Sequence, residues 1–298
     1  MVKGRLNLEK HGKLYGFLEI LRPLNCLMMG FATLLGAIIT VGFRVNPFLV
    51  FLGFVTAFTL TGSSMALNDY FDRFVDLVNE PTRPIPRGTI KPREALGFAF
   101  FLAFLGLFSA SITSLTVKSL GFLVLVVAFL AYGLSAYYNV KGKKYGFLGN
   151  LMVSGCVAVP FLYGAFMVGF FPKPVLLVFA FLAFLSNTGR EIIKGIADVE
   201  GDKLRNVQTL AIKLNPKKAS YVASVFYVLA VCLSFLPPMF GMVSLWYIPF
   251  VVVACAGFLF IAFYTVKNPS AKNAKKMKKL SLLWMGFGLT AFLVGSIM

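Results

Sequence analysis

Residues 48–79 read FLVFLGFVTAFTLTGSSMALNDYFDRFVDLVN, an apolar run over 48–66 that passes without a break into an acidic end. The run is about one bilayer crossing long. At its end Asn68, Asp72 and Asp76 recur at every fourth position. A four-residue step on an α-helix returns nearly to the same face, drifting by roughly 40°. One helix therefore projects an amide and two carboxylates in a line. Lys194, Asp198 and Asp202 repeat the spacing far downstream. Two such clusters on membrane helices point to a site for divalent cations and a polyphosphate.

Composition supports a membrane-embedded chain throughout. Hydrophobic residues make up 58% of the sequence and charged ones 13%, with a mean hydropathy of +0.82. A soluble domain is roughly 45–50% apolar. Apolar stretches predict nine spans, at 14–41, 47–75, 92–115, 119–139, 147–170, 174–199, 216–236, 242–266 and 279–298. Several open on proline, which suits a first helical turn. Short loops join them, so the expected fold is all-α: one polytopic domain over 1–298, with a tail over 1–13. No signal peptide is evident, because the first apolar run is long and lacks a cleavage context.

Charge orients the chain. The tail and the even-numbered loops carry 22 basic residues against three on the odd loops (Arg44, Lys118, Lys173). The positive-inside rule then places the N-terminus in the cytoplasm and the C-terminus outside. All 11 acidic residues fall on or near that cytoplasmic side. The net charge of +18 reflects this topology and contact with anionic membrane lipid. No motif surrounds the basic patches, so no nucleic-acid partner is expected, and the lysines of 272–279 belong at the headgroup surface. The four cysteines are scattered in apolar helices and read as packing. His11 is the sole histidine, which excludes a histidine-based centre.

Arg22, Arg73, Arg190 and Lys194 remain inside or at the edges of spans, where a charge is costly and commonly functional. In the sixth span the apolar part, 175–185, is only half a crossing. It continues as SNTGREIIKGIADVEGD, with Asn187, Glu191, Lys194 and Asp198 on one face. A polar stripe of that length lines a cavity; the alternative is an ion-pair network that locks helices together. The two halves also correspond. Each acidic cluster is followed by a basic loop and a proline-led span, Pro92-Arg93-Glu94-Ala95 and Pro216-Lys217-Lys218-Ala219. A weak internal repeat would set the clusters opposite one another, at the mouth of a central cavity open to the cytoplasmic side. Mg²⁺ prefers oxygen ligands and is commonly held by a few carboxylates plus substrate phosphates. Facing carboxylate pairs would clamp a diphosphate through bridging metals, with basic side chains neutralising its outer oxygens.

NDYFDRFVD followed by NEPTRPIPRG, and later DVEGD, resemble the two signature regions of the UbiA family of intramembrane prenyltransferases. The resemblance covers the whole chain. It implies Mg²⁺-dependent transfer of a prenyl group from an isoprenyl diphosphate donor to a lipid-like acceptor. It assigns metal and diphosphate binding to Asn68, Asp72, Asp76, Asp198 and Asp202, and matches a Tyr-x-x-x-Lys element to Tyr137 and Lys141. LRPLNCLMMG, NEPTRPIPRG, YGFLGN around Asn150 and REIIKGIADVEGD are similar to the branch that builds archaeal ether lipids. In that branch the donor is geranylgeranyl diphosphate and the acceptor the secondary hydroxyl of geranylgeranylglyceryl phosphate. Part of the motif set is shared with branches that prenylate aromatic acceptors such as 4-hydroxybenzoate, which stands as the alternative.

On this reading Arg73, Lys141 and Lys194 stabilise the departing diphosphate. Asp69, Glu191 or the pyrophosphate itself takes the acceptor's proton. Arg22, Arg83, Arg87 or Arg190 binds the acceptor's phosphate, each having a rival role in ordering loops. A transporter is the competing class, but its polar residues would sit near the bilayer midplane. Here the acids gather at one end of the helices.

Overall fold

The computed structural model describes residues 12–204 and 207–297. Lys3, Arg5, Lys10, His11 and Arg205, used above for topology and to exclude a histidine centre, lie outside them, as does most of the expected tail. The described chain is helical. Nine of its helices are long and apolar enough to cross a membrane, and the protein is an integral membrane protein.

The expected first span is two helices. α1 (Lys13–Leu21) stops at Arg22, whose φ of 51° is left-handed, and α2 (Pro23–Val41) starts afresh. Pro23 forces this break: it disfavours helical geometry in the preceding residue and offers no N–H to a preceding turn. α3 (Pro47–Asn79) runs 33 residues, about 50 Å, which outreaches the hydrocarbon core. Its acidic end is therefore the continuation of a spanning helix. α4 (Pro92–Thr116) and α5 (Gly121–Val140) follow, then a 3₁₀ turn (Gly142–Tyr145).

α6 (Phe147–Phe166) and α7 (Pro174–Ala197) open the second half, with α7 capped at Asp198. Two short helices, α8 (Val199–Leu204) and α9 (Leu210–Leu214), lead to α10 (Pro216–Leu233) and the single turn α11 (Leu236–Met239). α12 (Tyr247–Lys267) and α13 (Ala271–Gly295) complete the bundle. α13 begins well before the expected 279, because Ser270 caps it by accepting from the Asn273 amide. Its lysine-rich turns are thus helical.

Successive spans pack side by side, α13 closes the ring on α2, and α2 also packs across it on α6. The α2–α6 crossing is close. A Cβ on Gly36 would lie 2.1 Å from the Phe161 carbonyl oxygen, and one on Gly164 2.1 Å from that of Thr33. Phe161, Phe179, Tyr247 and Phe292 fill the core away from the acidic end, with the Phe179 and Phe292 rings stacked at 3.9 Å. Phe51, Phe100, Phe104 and Phe108 point outward, as lipid-facing side chains do. Between the helices lies an apolar cavity of about 570 Å³.

Candidate active site

The two acidic clusters meet. The end of α3 docks on α8, where the Asn79 side chain donates to the Asp198 carbonyl (3.3 Å) and accepts from the Gly201 amide (3.1 Å). Asp72, Asp76, Asp198 and Asp202 consequently line one small cleft of about 70 Å³, together with Asn68 and Asn150. This cleft adjoins the large cavity, since Asn68, Tyr138, Arg83, Glu191 and Lys194 border both.

Each α3 carboxylate is held differently. Asp69, 3% exposed, is ion-paired with Arg22 and lies 3.4 Å from Arg83. Arg83 reaches on to Asp76 at 2.7 Å. Burial opposes the charge on Arg83, but Asp69 and Asp76 outweigh it and raise its pKa further. Asp72 pairs with Lys143 at 2.5 Å. With its amide turned so that oxygen meets the lysine, Asn68 completes this corner, that oxygen 2.5 Å from Lys143 and its nitrogen 3.1 Å from Asp72. Across the cleft Glu191 accepts from Arg190 (3.0 Å) and Lys194 (3.1 Å). Burial foremost, then the charge of Asp198, pushes the Asp202 carboxyl up to about 7.

A hard divalent cation fits this donor set. Asp198 Oδ1 is buried without a hydrogen-bond partner among the described residues, an arrangement that a bound cation would relieve. No three carboxylates among the described residues converge on one point. The carboxylates are thus spread along the cleft, as suits cations that share their ligands with a polyphosphate.

Not every expected residue reaches the site. Tyr137 is exposed and stacks on Tyr145, the two hydroxyls 3.1 Å apart. Lys141 is also exposed. The Tyr-x-x-x-Lys spacing assumes a helix through 141, but α5 ends at Val140 and the 3₁₀ turn swings the chain. Tyr138 and Lys143 occupy the cleft instead. Arg73 bonds the Tyr70 carbonyl (2.7 Å) and lies over the Tyr70 and Phe74 rings, away from the cavity. Arg87 is engaged by Glu19 and Thr89 and orders the loop after α3. Lys278 and Lys279, read from sequence as headgroup contacts, line the large cavity.

A family model describing the UbiA prenyltransferase family matches residues 29–286. The chain belongs to the UbiA prenyltransferase family. It is 38% identical to the digeranylgeranylglyceryl phosphate synthase of Methanosarcina mazei, covering 94% of this chain and 97% of that protein. Among solved structures, a digeranylgeranylglyceryl phosphate synthase superposes with a TM-score of 0.71 at 32% identity, over 96% of this chain and 99% of that one. A UbiA homolog from Archaeoglobus fulgidus bound to DMAPP and Mg²⁺ shares the UbiA fold, with a TM-score of 0.58 at 17% identity over 93% and 99% of the two chains.

Proposed function

We propose that this chain transfers the geranylgeranyl group of geranylgeranyl diphosphate to the secondary hydroxyl of geranylgeranylglyceryl phosphate, forming the second ether bond of archaeal membrane lipids. One observation carries the reading: a large, mostly apolar cavity adjoins a carboxylate-lined cleft. The cavity suits isoprenoid chains and the cleft suits a metal-bridged diphosphate. The names of the full-length relatives support the choice of acceptor.

Asp72, Asp76, Asp198 and Asp202, with the Asn68 oxygen, would hold Mg²⁺. When bound, Mg²⁺ neutralises the diphosphate and makes it a better leaving group. Lys143 and Lys194 border the cleft and stabilise charge on the departing oxygen. The allylic C–O bond breaks with its electron pair going to the diphosphate, and the acceptor oxygen bonds to C1. Asp69 and Glu191 are each tied to two cations, so the released diphosphate takes the hydroxyl proton. The membrane cavity keeps water from the cationic carbon.

The chain works as one membrane-embedded domain over 1–298, with the tail over 1–13 and the site cytoplasmic and the C-terminus outside. Purified protein with Mg²⁺, geranylgeranyl diphosphate and two competing acceptors tests the reading. A diether phosphate product that EDTA abolishes is expected. Prenylation of 4-hydroxybenzoate alone would overturn the acceptor and keep the metal site.

A further inference from the structure

Four charged side chains at the cavity end do not balance. Glu191 accepts from Arg190 and Lys194, and Lys278 stands within Coulombic reach of the same carboxylate. All four border the large cavity. Asp198 also acts on Lys194 and Lys278, but it lines the neighbouring cleft; with Asp198 given to a cation there, one carboxylate among three cations leaves two positive charges. Lys278 has a further acidic neighbour, Glu80 at 3.8 Å, but Glu80 is shared with Lys275 at the same distance. Arg190 adds a further signal: its Nε is buried with no partner among the described residues. A buried guanidinium N–H without an acceptor is costly.

The opposite wall differs. There Arg22 and Arg83 are matched by Asp69 and Asp76. The surplus positive charge of the cavity thus sits where α7 meets α13. It lies beside the carboxylate-rich cleft, with Lys194 bordering both compartments. Cations held by the cleft carboxylates would serve the diphosphate; Arg190 and Lys278 line the large cavity outside that cleft and are placed to receive a second, separate anion.

Resting on the acceptor class proposed above, we infer that Arg190 and Lys278 bind the phosphate monoester of the acceptor lipid. A phosphate dianion matches the two unbalanced charges, and guanidinium and ammonium groups both bind phosphate well. Arg190 precedes Lys194 by one turn of α7, about 6 Å along its axis. Anchoring the phosphate there brings the neighbouring secondary hydroxyl of the glycerol to the cleft, while the hydrocarbon chain stays in the apolar cavity. The pair would thereby decide which alcohols are prenylated.

The test compares geranylgeranylglyceryl phosphate with its dephosphorylated alcohol, using wild type, Lys278→Gln, Lys278→Arg and Arg190→Gln. Loss of one charge-assisted phosphate contact should cost about tenfold in kcat/KM on the phosphorylated acceptor, through its KM. The same change on the alcohol, and on the donor KM, should stay within about threefold, which a misfolded variant would not show. Lys278→Arg should restore the preference. Equal losses on both acceptors, or none, would overturn the assignment. Binding of the two lipids to nanodisc-embedded protein, measured by calorimetry, separates this inference from the reading beneath it. A phosphate preference in binding that vanishes in Lys278→Gln upholds the site even if wild type forms no diether. Equal binding of both lipids to wild type rejects it.

Discussion

Lys143 Nζ stands 2.5 Å from an Asp72 carboxylate oxygen, while Lys141, two residues earlier, faces outward. The 3₁₀ turn after α5 makes that selection. In this arrangement the Lys143 ammonium balances the Asp72 carboxylate. It lines the cleft in which the proposed diphosphate would sit.

Replacing Lys143 with Met should lower turnover by about a hundredfold, the scale of losing one preorganised donor to developing charge. Lys141→Met should change it by less than about threefold. Steady-state kinetics on the two purified variants distinguish them. Comparable losses in both would return the role to Lys141.

Arg83 ties Asp69 to Asp76 across buried ground. Arg83→Met leaves two buried carboxylates short of a partner, and breaking such a network costs about 3–5 kcal/mol. The variant should unfold at a clearly lower temperature in detergent than wild type. Arg83→Lys should recover part of the loss, because an ammonium carries the charge without the fork.

Acidity enters through Asp202, whose carboxyl burial pushes up to about 7. In the proposed role of Asp202 as a Mg²⁺ ligand, a raised pKa means that protons compete with the cation at a higher pH than for an ordinary carboxylate. Mg²⁺ affinity should therefore be full above pH 7 and decline as pH falls through it. Titrating Mg²⁺ activation between pH 6 and 8 checks the direction, and Asp202→Asn should remove this component. An affinity that rose on acidification would contradict it.

The close α2–α6 crossing sets a steric limit. Gly164→Val would drive a side chain into the Thr33 carbonyl, 2.1 Å from the new Cβ. Backbone does not yield as a flexible side chain does, so the cost should exceed the usual 1–3 kcal/mol of overpacking, roughly. Thermal unfolding should show a drop much larger than for Gly155→Val, since a Cβ at Gly155 meets nothing within 4 Å.

What the sequence made legible was local. Hydropathy over about 20 residues finds the spans, and a step of four finds Asn68, Asp72 and Asp76, because both depend only on helix geometry. Arg73 could have been set aside on the same ground, being one residue, hence about 100°, from Asp72. The break at Arg22 was also written in the Arg-Pro pair. By contrast, Tyr138 and Lys143 depend on where α5 stops, and KGKK offers three lysines of equal local character. Lys278 was hidden for a related reason. Six lysines recur over 267–279, and only the packing of α13 against α7 and α12 turns Lys278 inward.

The overlength of α3 has an energetic meaning for any substrate with an isoprenoid tail. Because a helix of 33 residues exceeds the hydrocarbon thickness, its acidic end can meet charged headgroups at the water's edge while their tails remain in oil. Withdrawing a geranylgeranyl chain into water would cost about 0.8 kcal/mol per methylene, on the order of 15 kcal/mol in all. Chemistry at the boundary avoids that barrier for both lipids, and the product is born already dissolved in the membrane it belongs to.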